Sequence, residues 1–296
     1  MLRPGDRIDI RFLCRHLENY DVRPYTSGTT RLKLNKGKAG KIKLALPPLD
    51  EQKRIAEVLD RAEALRARRR AALSLLDELT QSIFLDMFGD PKTNPKGWDA
   101  SKLGTEVKVQ GGYAFKSKDY TEEGVRLVKI SNVHKDNLRW DDVDHLPPEY
   151  SQQHAEYALA KGDVVLALTR PIIKSLKSVK IAVVGESDLP SLLNQRVGRF
   201  LFNGKSRLTP EYVREFCHST FFFNAVQSFC SESLQPNMST RQIESLQIPI
   251  PPKELQDDFE SRISHLSTMR VSIEKAAKRF EELFASLQSQ AFKGEL

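Results

Sequence analysis

The chain has 296 residues, of which 40% are hydrophobic and 29% charged, with a formal net charge of +7. That length holds two globular units with their own cores, no apolar run approaches the roughly 18 residues of a membrane span, and Arg3, Asp6 and Arg7 break any leader-like apolar stretch, so a cytoplasmic, non-membrane protein is expected. Cys14, Cys217 and Cys230 form no C-x-x-C pair, which argues against a disulfide framework or a cysteine zinc site and predicts buried thiols; the positive charge points weakly to a polyanionic partner.

Residues 1–46 do not read as an independent fold. From Pro47-Pro48-Leu49-Asp50-Glu51-Gln52 a long helical pattern runs to Phe88, with prolines ending an extended segment and acids in the first turn. Gly89-Asp90-Pro91 then supplies a left-handed cap followed by a proline, and Asn94-Pro95-Lys96-Gly97 a turn. Beyond Trp98 short apolar runs predict strands over Val125–Ile130, Val164–Leu168, Lys180–Val184 and Val197–Phe202, and Thr209-Pro210-Glu211 opens a helix. Residues 91–250 therefore form a mixed α and β domain. Pro251-Pro252-Lys253-Glu254-Leu255-Gln256 opens a second long helix over 251–296.

The two helices are copies at an offset of 204 residues: Gln52 matches Gln256, Ala72 matches Ala276 and Ser82 matches Ser286. Ala62, Leu65, Arg69, Ala72, Leu76, Leu79 and Ile83 step by three and four, as do Leu266, Met269, Ile273, Ala276, Phe280, Leu283 and Leu287, which predicts a coiled-coil seam between them. Arg69 falls on that seam and needs to snorkel or find a carboxylate, while Arg66, Arg68 and Arg70 read as a solvated face. From Ile55 to Met87 such a helix rises roughly 50 Å, so it is also a spacer. At the same offset Phe12 falls on Phe216, Leu34 on Met238, Ile42 on Leu246 and Leu44 on Ile248, so residues 1–46 read as the tail of a module whose complete copy is the 91–250 domain. Ile42, Leu44 and Leu46 would then be an orphan strand edge that pairs with another chain, either a second copy in a two-fold homodimer or a separate polypeptide.

No phosphate-binding loop of the G-x-x-x-x-G-K-[ST] type occurs, the histidines lack metal-ligand spacing, and Asp257-Asp258 sits where a helix start explains it. No catalytic or metal-binding constellation is found, which leaves binding. Lys116, and the loop Thr169-Arg170-Pro171 with Lys174, Lys177 and Lys180, suit phosphates. Asn194, Gln195 and Arg196, with Gln235 and Asn237, are side chains able to make paired contacts with adenine or guanine edges. Tyr113 and Phe115 read as core aromatics.

The paired Pro-Pro openings, Trp98 with Lys102-Leu103-Gly104, Gly112-Tyr113-Ala114-Phe115-Lys116-Ser117, Gly162-Asp163-Val164-Val165 and Ile248-Pro249-Ile250-Pro251-Pro252 together make the chain resemble the specificity subunits of type I restriction-modification systems. The resemblance implies an α+β fold in which a mixed target-recognition domain joins two long helices in an antiparallel coiled coil. It implies binding of double-stranded DNA and partnership with methyltransferase and restriction/translocase subunits. S-adenosylmethionine, ATP and magnesium then belong to those partners, and this chain has no cofactor and no catalytic activity. The chain departs from the family pattern in carrying one complete recognition domain. Two other readings are a coiled-coil scaffold without DNA specificity and a divergent site-specific nuclease or methyltransferase.

Overall fold

A computed structural model of the chain describes residues 5–18, 20–27, 32–230 and 236–293. Two short helices, α1 (Ile10–Glu18) and α2 (Lys36–Ala39), precede the long helix α3 (Leu49–Phe88). Then come β1 (Asp99–Lys102), α4 (Leu103–Glu106), β2 (Lys108–Gly111), β3 (Val125–Val128), β4 (Asp144–Leu146), α5 (Tyr150–Gln153) and β5 (Val164–Ala167). They are followed by β6 (Ile172–Ile173), β7 (Ser178–Val179), β8 (Ile181–Val183), β9 (Ser191–Leu193) and β10 (Val197–Leu201). Helices α6 (Pro210–His218), α7 (Thr220–Phe229) and α8 (Thr240–Glu244) lead to β11 (Gln247–Ile250) and the long helix α9 (Lys253–Lys293). The fold divides into two compact units, residues 78–265 and residues 1–77 with 266–296, so α3 and α9 each contribute to both.

In the 78–265 unit every strand expected from the sequence is present, shorter by a residue or two. Strands β2, β10, β5 and β8 form an antiparallel sheet in that order, with Val197 opposite Ala167 and Gly198 opposite Gly111. A second sheet runs β4-β3-β9, with β3 and β9 parallel, and β1 pairs with β11. Gly89 ends α3 in the left-handed region (φ +82°), as expected of the cap. The ends of the long helices belong to this core: Phe84, Phe88, Phe259 and Tyr212 are all buried, with Phe88 4.9 Å from Tyr212 and 5.2 Å from Phe259 between ring centroids. The Tyr212 hydroxyl donates to the Pro249 carbonyl at 3.0 Å, and burial pushes its pKa up. Cys217 is buried in the same core with its thiol pKa pushed up by burial, but Cys14 is exposed and Cys230 half-buried, which corrects the expectation of three buried thiols.

One buried amide organises the start of each long helix. Gln256 accepts from the Thr209 backbone N–H at 2.8 Å and donates to the carbonyls of Arg207 and Pro251, both at 2.9 Å. Gln52 likewise accepts from Asp9 N–H at 2.9 Å and donates to the carbonyls of Arg7 at 3.0 Å and Pro47 at 2.8 Å. Thr209 and Asp9 are in turn the N-cap residues of α6 and α1, accepting from Tyr212 and Phe12 N–H. Phe12 therefore corresponds to Tyr212, at an offset of 200, and not to Phe216. Four residues are close to one helical turn, so the apolar face matches in either alignment and only the cap decides. From α2 onward the offset of 204 holds, since the N-caps Asn35 and Ser239 match.

In the 1–77 and 266–296 unit α3 and α9 pack antiparallel: Arg66 meets Glu281 and Phe284, Arg69 meets Phe280, and Asp77 pairs with Arg270. Of the expected seam, Ala62 and Leu76 are buried and Ala72, Leu266, Ile273, Phe280 and Leu287 partly so, while in the other unit Ile83 packs on the core. Leu65 (45% exposed), Leu79 (45%), Met269 (54%) and Leu283 (67%) face outward, and Ala276 is exposed as well. At alternate turns the inward position lies one residue later, at Arg66, Arg270, Ala277 and Phe284. Arginine stems can fill a seam while hydropathy marks them as surface, which is why the pattern misled there. Arg69 meets no carboxylate among the described residues: half-buried, its guanidinium lies 4.4 Å from the Phe280 ring centroid and donates to the Ala276 carbonyl at 3.4 Å. Residues 43–46 form no strand, because the partner that β11 uses is β1, and the first copy has no equivalent of it.

Replacing Gln256 with Ala strands one buried N–H and two carbonyls, so unfolding in urea should show a loss of about 2–4 kcal/mol; a loss below about 0.5 kcal/mol would remove the amide from this role. A second expectation concerns acid. Burial opposes ionisation of Asp136, yet His218, whose Nε2 donates to it at 2.8 Å, and Arg214 outweigh that and hold its pKa at about 2. A depressed carboxyl adds stability above its ordinary pKa near 4 and loses it as pH falls toward 2, worth about 2 kcal/mol. Asp136→Asn should flatten the fall in urea midpoint between about pH 4 and pH 2.5; an unchanged acid limb would assign that fall to other carboxylates.

Candidate nucleic-acid interface

Three segments distant in sequence meet at one edge of the 78–265 unit. The chain leaving β5 bridges residues 236–238: Met238 N–H donates to the Leu168 carbonyl at 2.8 Å and Arg170 N–H to the Pro236 carbonyl at 2.9 Å. The turn between β9 and β10 joins them through Leu168 N–H, which donates to the Arg196 carbonyl at 2.9 Å. Gly112 brings a fourth strand of chain alongside, since a Cβ there would sit 2.3 Å from the carbonyl oxygens of Leu193 and Asn194. Without a Cβ, Tyr113 N–H reaches the Leu193 carbonyl at 3.0 Å and its own carbonyl accepts from Gln195 at 2.9 Å.

This backbone frame sets the side chains. Arg196 Nη1 donates to Thr169 Oγ1 at 3.3 Å and Asn237 Oδ1 at 3.2 Å, and Thr169 Oγ1 donates to Asn237 Oδ1 at 2.7 Å. Among the described residues Arg196 Nε and Nη2 make no internal hydrogen bond, so a fixed guanidinium keeps a two-donor edge for an outside acceptor pair. Gln195 and Asn237 are exposed beside it, and Tyr113, 42% exposed, stands at the rim with its ring centroid 4.5 Å from that of His154. Arg170 is exposed in a left-handed turn (φ +49°), and the β6–β7 hairpin beyond it exposes Lys174 and Lys177.

The structure thus brings together Arg170, Gln195, Arg196 and Asn237 from the sequence reading. Asn194 is buried, with its Oδ1 3.5 Å from Arg196 N–H, so its side chain serves the turn instead of facing outward. Lys180 is half-buried and donates to the Ile130 carbonyl at 3.3 Å, and burial lowers its pKa, which removes it from the exposed basic group. Lys116 is exposed after the buried Phe115, on a separate turn. Gln235 lies outside the described residues. Of the two aromatics expected in the core, Phe115 is buried and Tyr113 is exposed; Gly111-Gly112 before it is the signal, because paired glycines mark close backbone approach. Among the described residues no group of three or more His, Cys, Asp or Glu side chains could hold a metal ion.

A family model described as the type I restriction modification DNA specificity domain matches residues 6–74 and 95–281. The chain is similar to the type I restriction enzyme MjaVIII specificity subunit of Methanocaldococcus jannaschii, 28% identical over 291 residues that span 92% of this chain and 68% of that protein. The EcoAI specificity subunit of Escherichia coli is 34% identical over 172 residues, 58% of this chain and 28% of its own length. In three dimensions the crystal structure of a type I restriction-modification system S subunit from M. genitalium matches with a TM-score of 0.57 at 14% identity, over 97% of this chain and 73% of that one.

Asn237→Ala should release the Arg196 guanidinium while leaving the fold intact. The expected result is a drop in the Arg196 Nε–H heteronuclear NOE to the level of an unrestrained arginine, with a stability loss of about 1 kcal/mol; an unchanged NOE would mean that other contacts hold it.

Proposed function

The chain belongs to the family of type I restriction modification DNA specificity domains, and on that premise we propose that its 78–265 unit reads one part of a double-stranded DNA site through Gln195, Arg196 and Asn237. Arg170, Lys174 and Lys177 hold the backbone, and Tyr113 covers the rim. In this reading the chain contributes binding, while methylation of adenine and cleavage are carried out by methyltransferase and restriction subunits that it directs and that carry S-adenosylmethionine, ATP and magnesium. The observation that carries it is the Arg196 guanidinium, fixed by Thr169 and Asn237 with one donor edge unused among the described residues. A paired arginine contact of this type discriminates guanine by roughly 1–3 kcal/mol, and pre-fixing the side chain reduces the ordering that binding requires. Lysines on a hairpin tip give a sequence-independent term instead.

These 296 residues carry one such reader, because the first copy of the module lacks counterparts of segments 168–170 and 194–196. A split site accordingly needs a second reader beyond these residues.

Fluorescence anisotropy with duplexes that carry the preferred site or a scrambled one tests the division of roles. Arg196→Ala should weaken the preferred duplex by roughly 1–3 kcal/mol and leave the scrambled one nearly unchanged. Lys174→Ala should weaken both alike and reduce the salt slope by about 0.9. Equal losses on both duplexes from both variants would end the assignment of Arg196 as a reader.

A further inference from the structure

The two copies of the module tail differ in charge far more than in pattern. Between residues 33 and 43 the chain holds Lys33, Lys36, Lys38, Lys41 and Lys43 and no acid, whereas the equivalent residues 237–247 hold only Arg241 and Glu244, which cancel. Both stretches fold alike, as an N-capped short helix and a turn before the proline pair. The complete copy shows which positions face solvent when a whole module surrounds them. Asn237, Ser245 and Gln247, the counterparts of Lys33, Lys41 and Lys43, are exposed, while Leu246, Ile248 and Ile250, the counterparts of Ile42, Leu44 and Leu46, are buried. Lys33, Lys41 and Lys43 thus occupy positions that remain at the surface when the module is complete, while the counterpart of Lys36, Thr240, is half-buried.

Lys33, Lys36, Lys41 and Lys43 are exposed and have no carboxylate partner among the described residues; Lys38 is engaged, donating to the Thr26 carbonyl at 2.9 Å. By contrast, neighbouring arginines are neutralised: Arg15 by Asp60 and Glu18, Arg23 by Asp21, Arg54 by Glu51. Four exposed lysines within eleven residues, with no carboxylate among the described residues to neutralise them, mark a site for an external polyanion. Its position in the repeat says which one, because Lys33 is the counterpart of Asn237, which stands in the reading cluster of the complete module.

We propose that residues 33–43 are a sequence-independent phosphate anchor, by which the first copy of the module tail binds the backbone of double-stranded DNA outside the bases read by the 78–265 unit. This rests on the DNA reading proposed above. Lysine suits the task, since a flexible point charge follows a phosphate row without demanding a register.

The full chain and a variant with Lys33, Lys36, Lys41 and Lys43 all changed to Gln are titrated against labelled duplexes of about 30 base pairs, one of random sequence and one with the preferred site, across a potassium chloride series. Affinity should fall about tenfold or more on both duplexes alike, and the salt slope should shallow by about 3 to 4, at roughly 0.9 per lost contact. The same four positions changed to Arg should retain affinity and slope. Should the fourfold Gln variant fold poorly by circular dichroism, the pairs Lys33→Gln with Lys36→Gln and Lys41→Gln with Lys43→Gln each carry about half the slope change. Unaltered affinity and slope overturn the anchor while leaving the Arg196 reading intact, as does a variant that loses only its association with partner subunits, which would make the patch a protein contact. An effect of the lysines combined with no sequence-dependent effect of Arg196→Ala sinks the reader and keeps the anchor. A wild-type chain that binds neither duplex at low salt removes both.

Discussion

The rest of the architecture depends on a buried amide placed one turn into each long helix. The proline pair leaves carbonyls without helical partners, and the N-terminus of an earlier short helix, α1 or α6, leaves unmatched N–H groups. Gln52 and Gln256 each join these two ends, and through them three stretches of chain, with one acceptor and two donors. A buried amide with these bonds made is strongly directional, and with any one unmade it is a liability of about 1–3 kcal/mol. This is how the same glutamine recurs in a module that is complete and in one that is not. It holds the short helix against the long one and needs nothing from the strands.

Beyond that junction the long helices change the kind of contact they use. In the 78–265 unit their ends are aromatic and insert Phe84, Phe88 and Phe259 among buried residues around Tyr212. In the other unit the facing positions include Arg66, Arg69, Asp77 and Arg270, set against Phe280, Phe284 and Glu281. Arginine over an aromatic ring contributes about 0.5–2 kcal/mol and fixes orientation, whereas an all-leucine seam would permit several registers. The polar seam thereby sets the antiparallel register.

The candidate interface follows from a different economy of structure. No single element presents it. The β-sheet registers bring the ends of β5, β9 and β10 to one edge, the bridge between Thr169 and Asn237 adds the stretch before α8, and Gly112 admits the chain that carries Tyr113. Side chains on short turns between paired strands are well positioned, because their backbones are held at both ends. The group of Gln195, Arg196 and Asn237 is therefore held in place, while Lys174 and Lys177 are exposed on the β6–β7 hairpin.

The amino-acid sequence alone determined the duplicated helices, the Gly89 cap, the strands around Val125, Val164, Ile181 and Val197, the α6 start at Thr209, and the candidate amides and arginines. Each of these is a local signal: a periodicity, a turn residue or a cap within one stretch. Tertiary structure decided the rest. It showed that Arg66 and Arg270, not Leu65 and Met269, fill the seam, because a long cationic stem packs like an apolar one. It set Phe12 against Tyr212, because a helical face repeats nearly every four residues and only the Gln52 bond to Asp9 distinguishes the two alignments. It left residues 43–46 unpaired, because a strand exists only with its partner. It also separated Gln195 and Arg196 at the surface from the buried Asn194 beside them, a choice made by Tyr113, Thr169 and Asn237 arriving from other parts of the chain, which no window of neighbouring residues contains.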